Sequence, residues 1–199
     1  TDRLAAALAA MGIAHGDRVA LLAANCAEFF EVQFACGRLG AIMLPLNWRL
    51  TVPELEYILG DSTPKLLIHD KAFADQAAAL SKHRLEIDHD RPDGAYEQAL
   101  AAAPAAPRPV DLTHDDTAMV MYTSGTTGHP KGVLYSHRSN TLHAFMASLP
   151  DSKNLASGDV CMPVVPFFHA NGWSLAFSTP MVGATLVLPG AKMDGASIY

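Results

Sequence analysis

The sequence predicts an α/β fold in which a largely parallel sheet is flanked by helices. Three observations point there. Short apolar segments alternate with amphipathic helical segments through most of the 199 residues. The apolar segments are continuous rather than alternating, as in strands covered on both faces. The boundaries between segments carry helix-start and helix-stop chemistry.

Taken in order, Leu4, Leu8 and Met11 share a helical face, with Gly12 and Gly16 flanking its exit. VALLA (19–23) is a compact strand, after which Asn25 is placed to cap a helix carrying Phe29, Phe30, Val32, Phe34 and Cys36. That helix stops near Gly37 and Gly40, and AIMLPL (41–46) forms the next strand, Pro45 marking an exposed end. Thr51 and Glu54 make a capping box with Pro53 in the first turn of a helix to Leu59. KLLIH (65–69), an Ala-rich helix around 71–82 and a weak strand at 85–89 continue the beat. PAAPRPVDL (104–112) is a Pro-rich surface excursion. TAMVMYT (117–123) then resumes as a buried strand, and a helix near 139–148 carries Leu142, Phe145, Met146 and Leu149. VCMPVV (160–165), a helix near 171–182 and ATLVLP (184–189) open what reads as a second sheet. Residues 1–150 are therefore assigned to a first α/β subdomain and 151–199 to the start of a second.

Composition excludes several function classes. Half the residues are hydrophobic and the net charge is −6 with basic residues scattered, which suits neither a nucleic-acid surface nor a polybasic membrane anchor. No uninterrupted apolar run reaches bilayer length. The stretch 28–46 comes nearest but is broken by Glu28, Glu31, Gln33 and Arg38. Cys26, Cys36 and Cys161 form no CxxC pair and read as buried or half-buried reduced thiols, consistent with a cytoplasmic setting. Thr1 falls inside a helical pattern and DGASIY resembles a first helical turn, so both ends read as cut from a longer chain.

The chemistry concentrates in TSGTTGHPKG (123–132), which follows a buried strand. Glycines let backbone N–H groups close around anionic oxygens. Ser124, Thr126 and Thr127 add hydroxyl donors and Lys131 a compact positive charge, a set suited to a triphosphate. The Walker A pattern is not met, because Pro130 stands five residues after Gly125 and Gly132 follows Lys131, which leaves a P-loop hydrolase or kinase only as a rival reading. The bland alternative is a solvated Gly/Thr-rich hairpin turn. His129, His137 and His143 lack metal-ligand spacing and read as solvent-facing. Asn47 and Arg49 read as anchors of a strand-to-helix turn.

YTSGTTGHPKGV (122–133) resembles the phosphate-binding signature of the adenylate-forming superfamily, which comprises acyl-CoA synthetases, luciferases and peptide-synthetase adenylation domains. GAIMLPLNWRLTVPELEYILGDSTPKLLI (40–68) and VVPFFHANGW (164–173) are similar to further stretches of fatty-acyl-CoA ligases, so the resemblance spans nearly the whole chain and is weakest at 82–112. It implies the large N-terminal domain of an acyl-CoA synthetase-like fold, without the C-terminal catalytic domain. It implies that Thr123, Ser124, Gly125, Thr126, Thr127, Gly128 and Lys131 hold the ATP phosphates, with Thr123 near Mg²⁺. Phe168 and His169 match an aromatic–His pair beside the acyl pocket, and Trp173 matches a gate tryptophan of long-chain enzymes. Alone, His169 would read as a hydrogen-bonded core histidine and Trp173 as core packing.

The implied activity is that of an AMP-forming acid–thiol ligase. A carboxylic acid, expected to be a fatty or related aliphatic acid, with chain length and head group left open and short thioether or aromatic acids still allowed, is activated by ATP as acyl-AMP and transferred to coenzyme A. The fragment alone is expected to be inactive, since the adenine-binding segment, acidic Mg²⁺ partner, hinge and catalytic lysine of the family are not among its residues. A homodimer is left open. Other readings also stay open: a peptide-synthetase adenylation domain, a luciferase-like enzyme, and a nucleotide-binding or oligomerisation module without catalysis.

Overall fold

Five strands run parallel because each is joined to the next through a helix that returns the chain to the same edge. In the computed structural model these are β1 (Arg18–Leu22), β2 (Ile42–Pro45), β3 (Leu66–Asp70), β4 (Arg84–Ile87) and β5 (Thr117–Thr123). A sixth, β6 (Lys131–Ser136), pairs antiparallel with β5 at one edge, giving the order β4-β3-β1-β2-β5-β6. The structure describes residues 1–105, 109–123, 128–190 and 195–198, the side chains at 197 and 198 excepted. The expected parallel sheet is thus found, with one antiparallel edge strand.

The helices divide between the two faces as the strand side chains alternate. Val19, Leu21, Met43, Ile68, Met119 and Met121 point into one core with α1 (Asp2–Ala10), α2 (Ala27–Leu39) and Tyr96 of α5 (Ala95–Ala101). Ala20, Leu22, Leu44, Leu67 and Val120 point into the other, against Leu55 and Ile58 of α3 (Val52–Ser62) and Ala77 of α4 (Ala74–Leu80). Thr51 closes α3 with the expected capping box, and Glu54 Oε2 accepts from the Thr51 amide at 2.8 Å. α2 ends at Gly40 in the left-handed region, as expected.

Several local expectations are corrected. Cys26, not Asn25, is the N-cap of α2, and Asn25 is instead committed to chain far away in sequence. Pro45 is buried rather than exposed, since its strand lies inside the sheet, paired with β1 at Leu21 and flanked by β5. Met11 lies past the end of α1 and is exposed. In α6 (His137–Ser148) the small residues Ala144 and Ala147 face inward, together with Asn140, while Leu142, Phe145, Met146 and Leu149 all face outward. His137 is half-buried rather than solvent-facing, and burial pushes its imidazole below the ordinary range. Cys26 and Cys36 are buried free thiols and Cys161 is half-buried, as expected.

The second part of the chain forms a separate two-stranded parallel sheet from β7 (Val160–Cys161) and β8 (Thr185–Leu186). α7 (Ala170–Trp173) and α8 (Leu175–Val182) lie between them in sequence. Asn25, 1% exposed, ties this part to the main sheet. Its Nδ2 donates to the carbonyls of Pro163 and Val165 at 2.9 and 3.0 Å, and its Oδ1 accepts from the Phe167 amide at 2.9 Å. Phe167 follows into a cluster with Phe29 and Phe30, ring centroids 4.8 and 5.3 Å away. No helix among the described residues is long and apolar enough to cross a membrane.

Candidate active site

Neighbouring parallel strands β2 and β5 end at Pro45 and Thr123, on the carboxyl edge where open α/β sheets leave room for ligands. A crevice of about 500 Å³ opens there. Leu46, Asn47 and Leu50 follow β2 into it, α3 contributes Glu54, Tyr57 and Ile58, and β5 contributes Tyr122 and Thr123. Gly128, His129 and Pro130 close one side, and Phe168 and His169 close another.

The glycine-rich segment is a hairpin connection between β5 and β6. Thr123 and Lys131 are directly opposite one another in the antiparallel ladder, and Tyr122 faces Gly132. A hydroxyl and an ammonium group therefore leave the backbone from paired positions at the base of the turn. Ser124, Gly125, Thr126 and Thr127 lie outside the described residues. Thr123, Gly128, Phe168 and His169 are brought together around one crevice, although they are up to 46 residues apart (169 − 123). Lys131 is exposed at the start of β6 and does not line the crevice. Trp173 does not line it either and is 61% exposed.

Phe168 and His169 are presented by an unusual piece of backbone. Ala170, Asn171, Gly172, Trp173 and Ser174 all have positive φ, from 43° to 72°. A left-handed turn costs roughly 1–2 kcal/mol for each residue with a Cβ, so the fold must compensate. Asn171 is buried and its Nδ2 donates to the Phe167 carbonyl at 3.0 Å. The Ser174 carbonyl accepts from Ser178 Oγ at 2.9 Å. Gly172 sits so close to Phe167 that an added Cβ would come within 2.8 Å of the ring. Strain of this kind collects at functional positions, and here it turns the chain so that two side chains face the crevice just before it.

The Asn47–Arg49 turn anchors the opposite wall. Asn47 Oδ1 accepts from the Arg49 amide at 3.0 Å, and the Arg49 guanidinium lies 4.9 Å above the Trp48 ring. Trp48 in turn meets Phe73 and, edge-on, Phe168, at 6.1 and 6.2 Å between centroids. Tyr57, Tyr122 and Asp61 are features that reading the sequence passed over. The Tyr122 hydroxyl donates to Asp61 Oδ2, and Tyr57 stacks on His129 with 4.5 Å between centroids. The hint was available in the spacing, since Tyr57 and Asp61 are one helical turn apart on the capped helix.

Burial, and next the Asp61 carboxylate, hold the Tyr122 phenol above its ordinary range, so it stays a donor at neutral pH. Among the described residues no group of three or more His, Cys, Asp or Glu side chains could hold a metal ion. A metal entering with a polyphosphate would take most of its ligands from that ligand and water.

Comparison with known proteins gives a consistent picture. A family model described as AMP-binding enzyme matches residues 1–198. The long-chain-fatty-acid–CoA ligase of Thermus thermophilus is 40% identical over 204 residues, covering 98% of this chain and 37% of that protein. The feruloyl-CoA synthase of an Amycolatopsis species is 38% identical over 195 residues, covering 98% of this chain and 38% of that protein. The crystal structure of ATP-bound MatB from Rhodopseudomonas palustris superposes with a TM-score of 0.85 at 30% identity, over 99% of this chain and 39% of that one. The chain thus spans a little over a third of the length of the proteins it matches.

Proposed function

The chain belongs to the AMP-binding enzyme family, and on that premise we propose that the whole protein is an ATP-dependent acid–CoA ligase whose phosphate-binding hairpin and part of whose acyl site lie in these residues. Its relatives include a long-chain-fatty-acid–CoA ligase and a feruloyl-CoA synthase. The finer reading is that the acid is aliphatic, of long or medium chain, and that residues 1–150 and 151–199 belong to two subdomains.

The observation that carries the reading is the placement of Thr123 and Gly128 at a crevice on the carboxyl edge of the sheet, with Phe168 and His169 facing them. In the proposed first half-reaction a carboxylate oxygen attacks the α-phosphorus of ATP, forming acyl-AMP and releasing pyrophosphate. In the second, the coenzyme A thiolate attacks the acyl carbon and AMP leaves. The residues in hand act by holding and aligning the departing phosphates, which is worth most where charge develops. Thr123, Ser124, Thr126 and Thr127 donate hydroxyls, Gly125 and Gly128 let backbone amides approach, and Lys131 supplies charge. Mg²⁺, with Thr123 as its hydroxyl ligand, would add charge neutralisation. Phe168 and His169 would border the acyl group, with Trp173 as its gate.

A pyrophosphate-release screen of the full-length protein over carboxylic acids of graded length tests this. Release that requires both ATP and an aliphatic acid supports it. Release with aromatic acids alone would keep the ligase and discard the aliphatic substrate, and ADP formation would discard both.

A further inference from the structure

Both flanks of the phosphate-binding hairpin are held by one face of α3. On the β5 side, the Tyr122 hydroxyl donates to Asp61. On the β6 side, the His129 ring lies on Tyr57, with 16° between the ring planes. Tyr57 and Asp61 are four residues apart, so both project from the same side of the helix.

α3 is itself firmly fixed. Leu55 and Ile58 are buried in the core with Leu46, Leu67 and Val120. The capping box closes its first turn. At its far end, Arg18 Nε donates to the Ser62 carbonyl at 2.8 Å and Nη2 to the Thr63 carbonyl at 3.1 Å. The hairpin is held less well. β6 has β5 as its one neighbour in the sheet, and Lys131, Val133 and Leu134 on it are exposed. Among the described residues, the Tyr57 and Asp61 contacts join the two ends of this hairpin to a rigid helix on the same side of the crevice.

We propose that Tyr57 and Asp61 are positioning residues: α3 braces the hairpin so that Thr123 and Lys131 stand where the phosphates of the nucleotide must be met. This rests on the ligase reading above. Neither side chain is assigned a contact with the reacting atoms. Their contribution is geometric, and an ångström of misplacement at such a site is enough to slow the reaction about a hundred-fold. The brace depends on His129, whose imidazole provides the flat face on which Tyr57 rests.

The test uses the full-length protein with Tyr57→Ala, Asp61→Ala, the double variant, and the conservative variants Tyr57→Phe and Asp61→Asn. KM for ATP, KM for the acid and kcat are measured together, and trypsin cleavage after Lys131 is followed by mass spectrometry without nucleotide. For the double variant we expect KM for ATP to rise, or the rate of acyl-AMP formation to fall, by about ten-fold or more, with KM for the acid unchanged. Cleavage after Lys131 becomes faster, and Tyr57→Phe and Asp61→Asn restore both readouts. A double variant with wild-type ATP kinetics and wild-type cleavage overturns the proposal. So does a loss that also raises KM for the acid and that the conservative variants fail to restore, since that reports general collapse. If the wild-type protein neither binds nor consumes ATP, the ligase reading falls, and the Lys131 cleavage rates still decide whether α3 braces the hairpin.

Discussion

Asn25→Ala should cost far more stability than its place after a strand suggests. The side chain is 1% exposed and supports three hydrogen bonds to the backbone of residues 163–167. Alanine leaves two carbonyls and one amide without these partners in a largely dry setting. Each net hydrogen bond is worth about 1 kcal/mol, and a stranded buried group costs about 1–3 kcal/mol. The three together give a loss of about 3 kcal/mol, a large fraction of the roughly 5–15 kcal/mol that holds a domain together. The loss should also be felt at the crevice, because Phe167 is one of the bonded residues and Phe168 and His169 follow it. Urea unfolding of wild type and variant, with tryptophan fluorescence as the signal, measures the difference. Asn25→Asp retains the acceptor for the Phe167 amide but sets a carboxylate against two carbonyls, and is expected to be no better than alanine. A change in unfolding free energy below about 0.5 kcal/mol for Asn25→Ala would refute the reasoning, since that is the range of neutral surface substitutions.

Three further outcomes are expected. In the full-length protein, Lys131→Ala should slow acyl-AMP formation by about 10²–10³-fold with a smaller effect on acid binding, as for loss of one charge-stabilising donor; rapid-quench detection of acyl-AMP checks this. Gly132→Ala should change the stability of the β5–β6 hairpin by less than the roughly 1–3 kcal/mol of core overpacking, because the new Cβ would stand 3.1 Å from Val120 Cγ2 and 3.2 Å from Tyr122 Cζ while alanine gains about 0.5–1 kcal/mol over glycine in a strand; denaturant unfolding measures it. Burial lowers the His137 pKa from its ordinary 6.5, so the unfolded chain takes up a proton before the folded one does. The stability this favours is fully present above 6.5 and is lost as pH falls from there toward the folded value. His137→Asn should therefore flatten the fall in melting temperature between neutral and mildly acid pH.

Much of the fold was legible because its signals are local. TAMVMYT coincides with β5 residue for residue, and the Thr51–Glu54 box starts α3 where expected. What escaped depends on partners distant in sequence. Asn25 looks like a helix cap from its neighbours alone, yet its hydrogen bonds reach 138–142 residues along the chain. KGVLYS shows no clean alternation, since β6 is exposed along its first four residues, and so it does not announce itself as an edge strand. α5 is one short helix behind an Asp/Pro/Gly-rich turn, with a single buried residue, Tyr96. Periodicity has little to work with there. At the candidate site, the residue types of the hairpin were readable because they stand together in one short stretch of sequence. The support from Tyr57 and Asp61 was not, because a stacking or hydrogen-bonding partner is defined only once α3 and the hairpin are side by side.

The central claim is that the whole protein transfers a carboxylate oxygen to the α-phosphorus of ATP. It is tested most directly by running the full-length protein with a carboxylic acid labelled with heavy oxygen in its carboxylate, together with ATP and coenzyme A, and weighing the nucleotide product. The account predicts AMP carrying one heavy oxygen, because the bond formed in adenylation stays on phosphorus when the thiolate displaces AMP. Unlabelled AMP, or label appearing in inorganic phosphate alongside ADP, would contradict it.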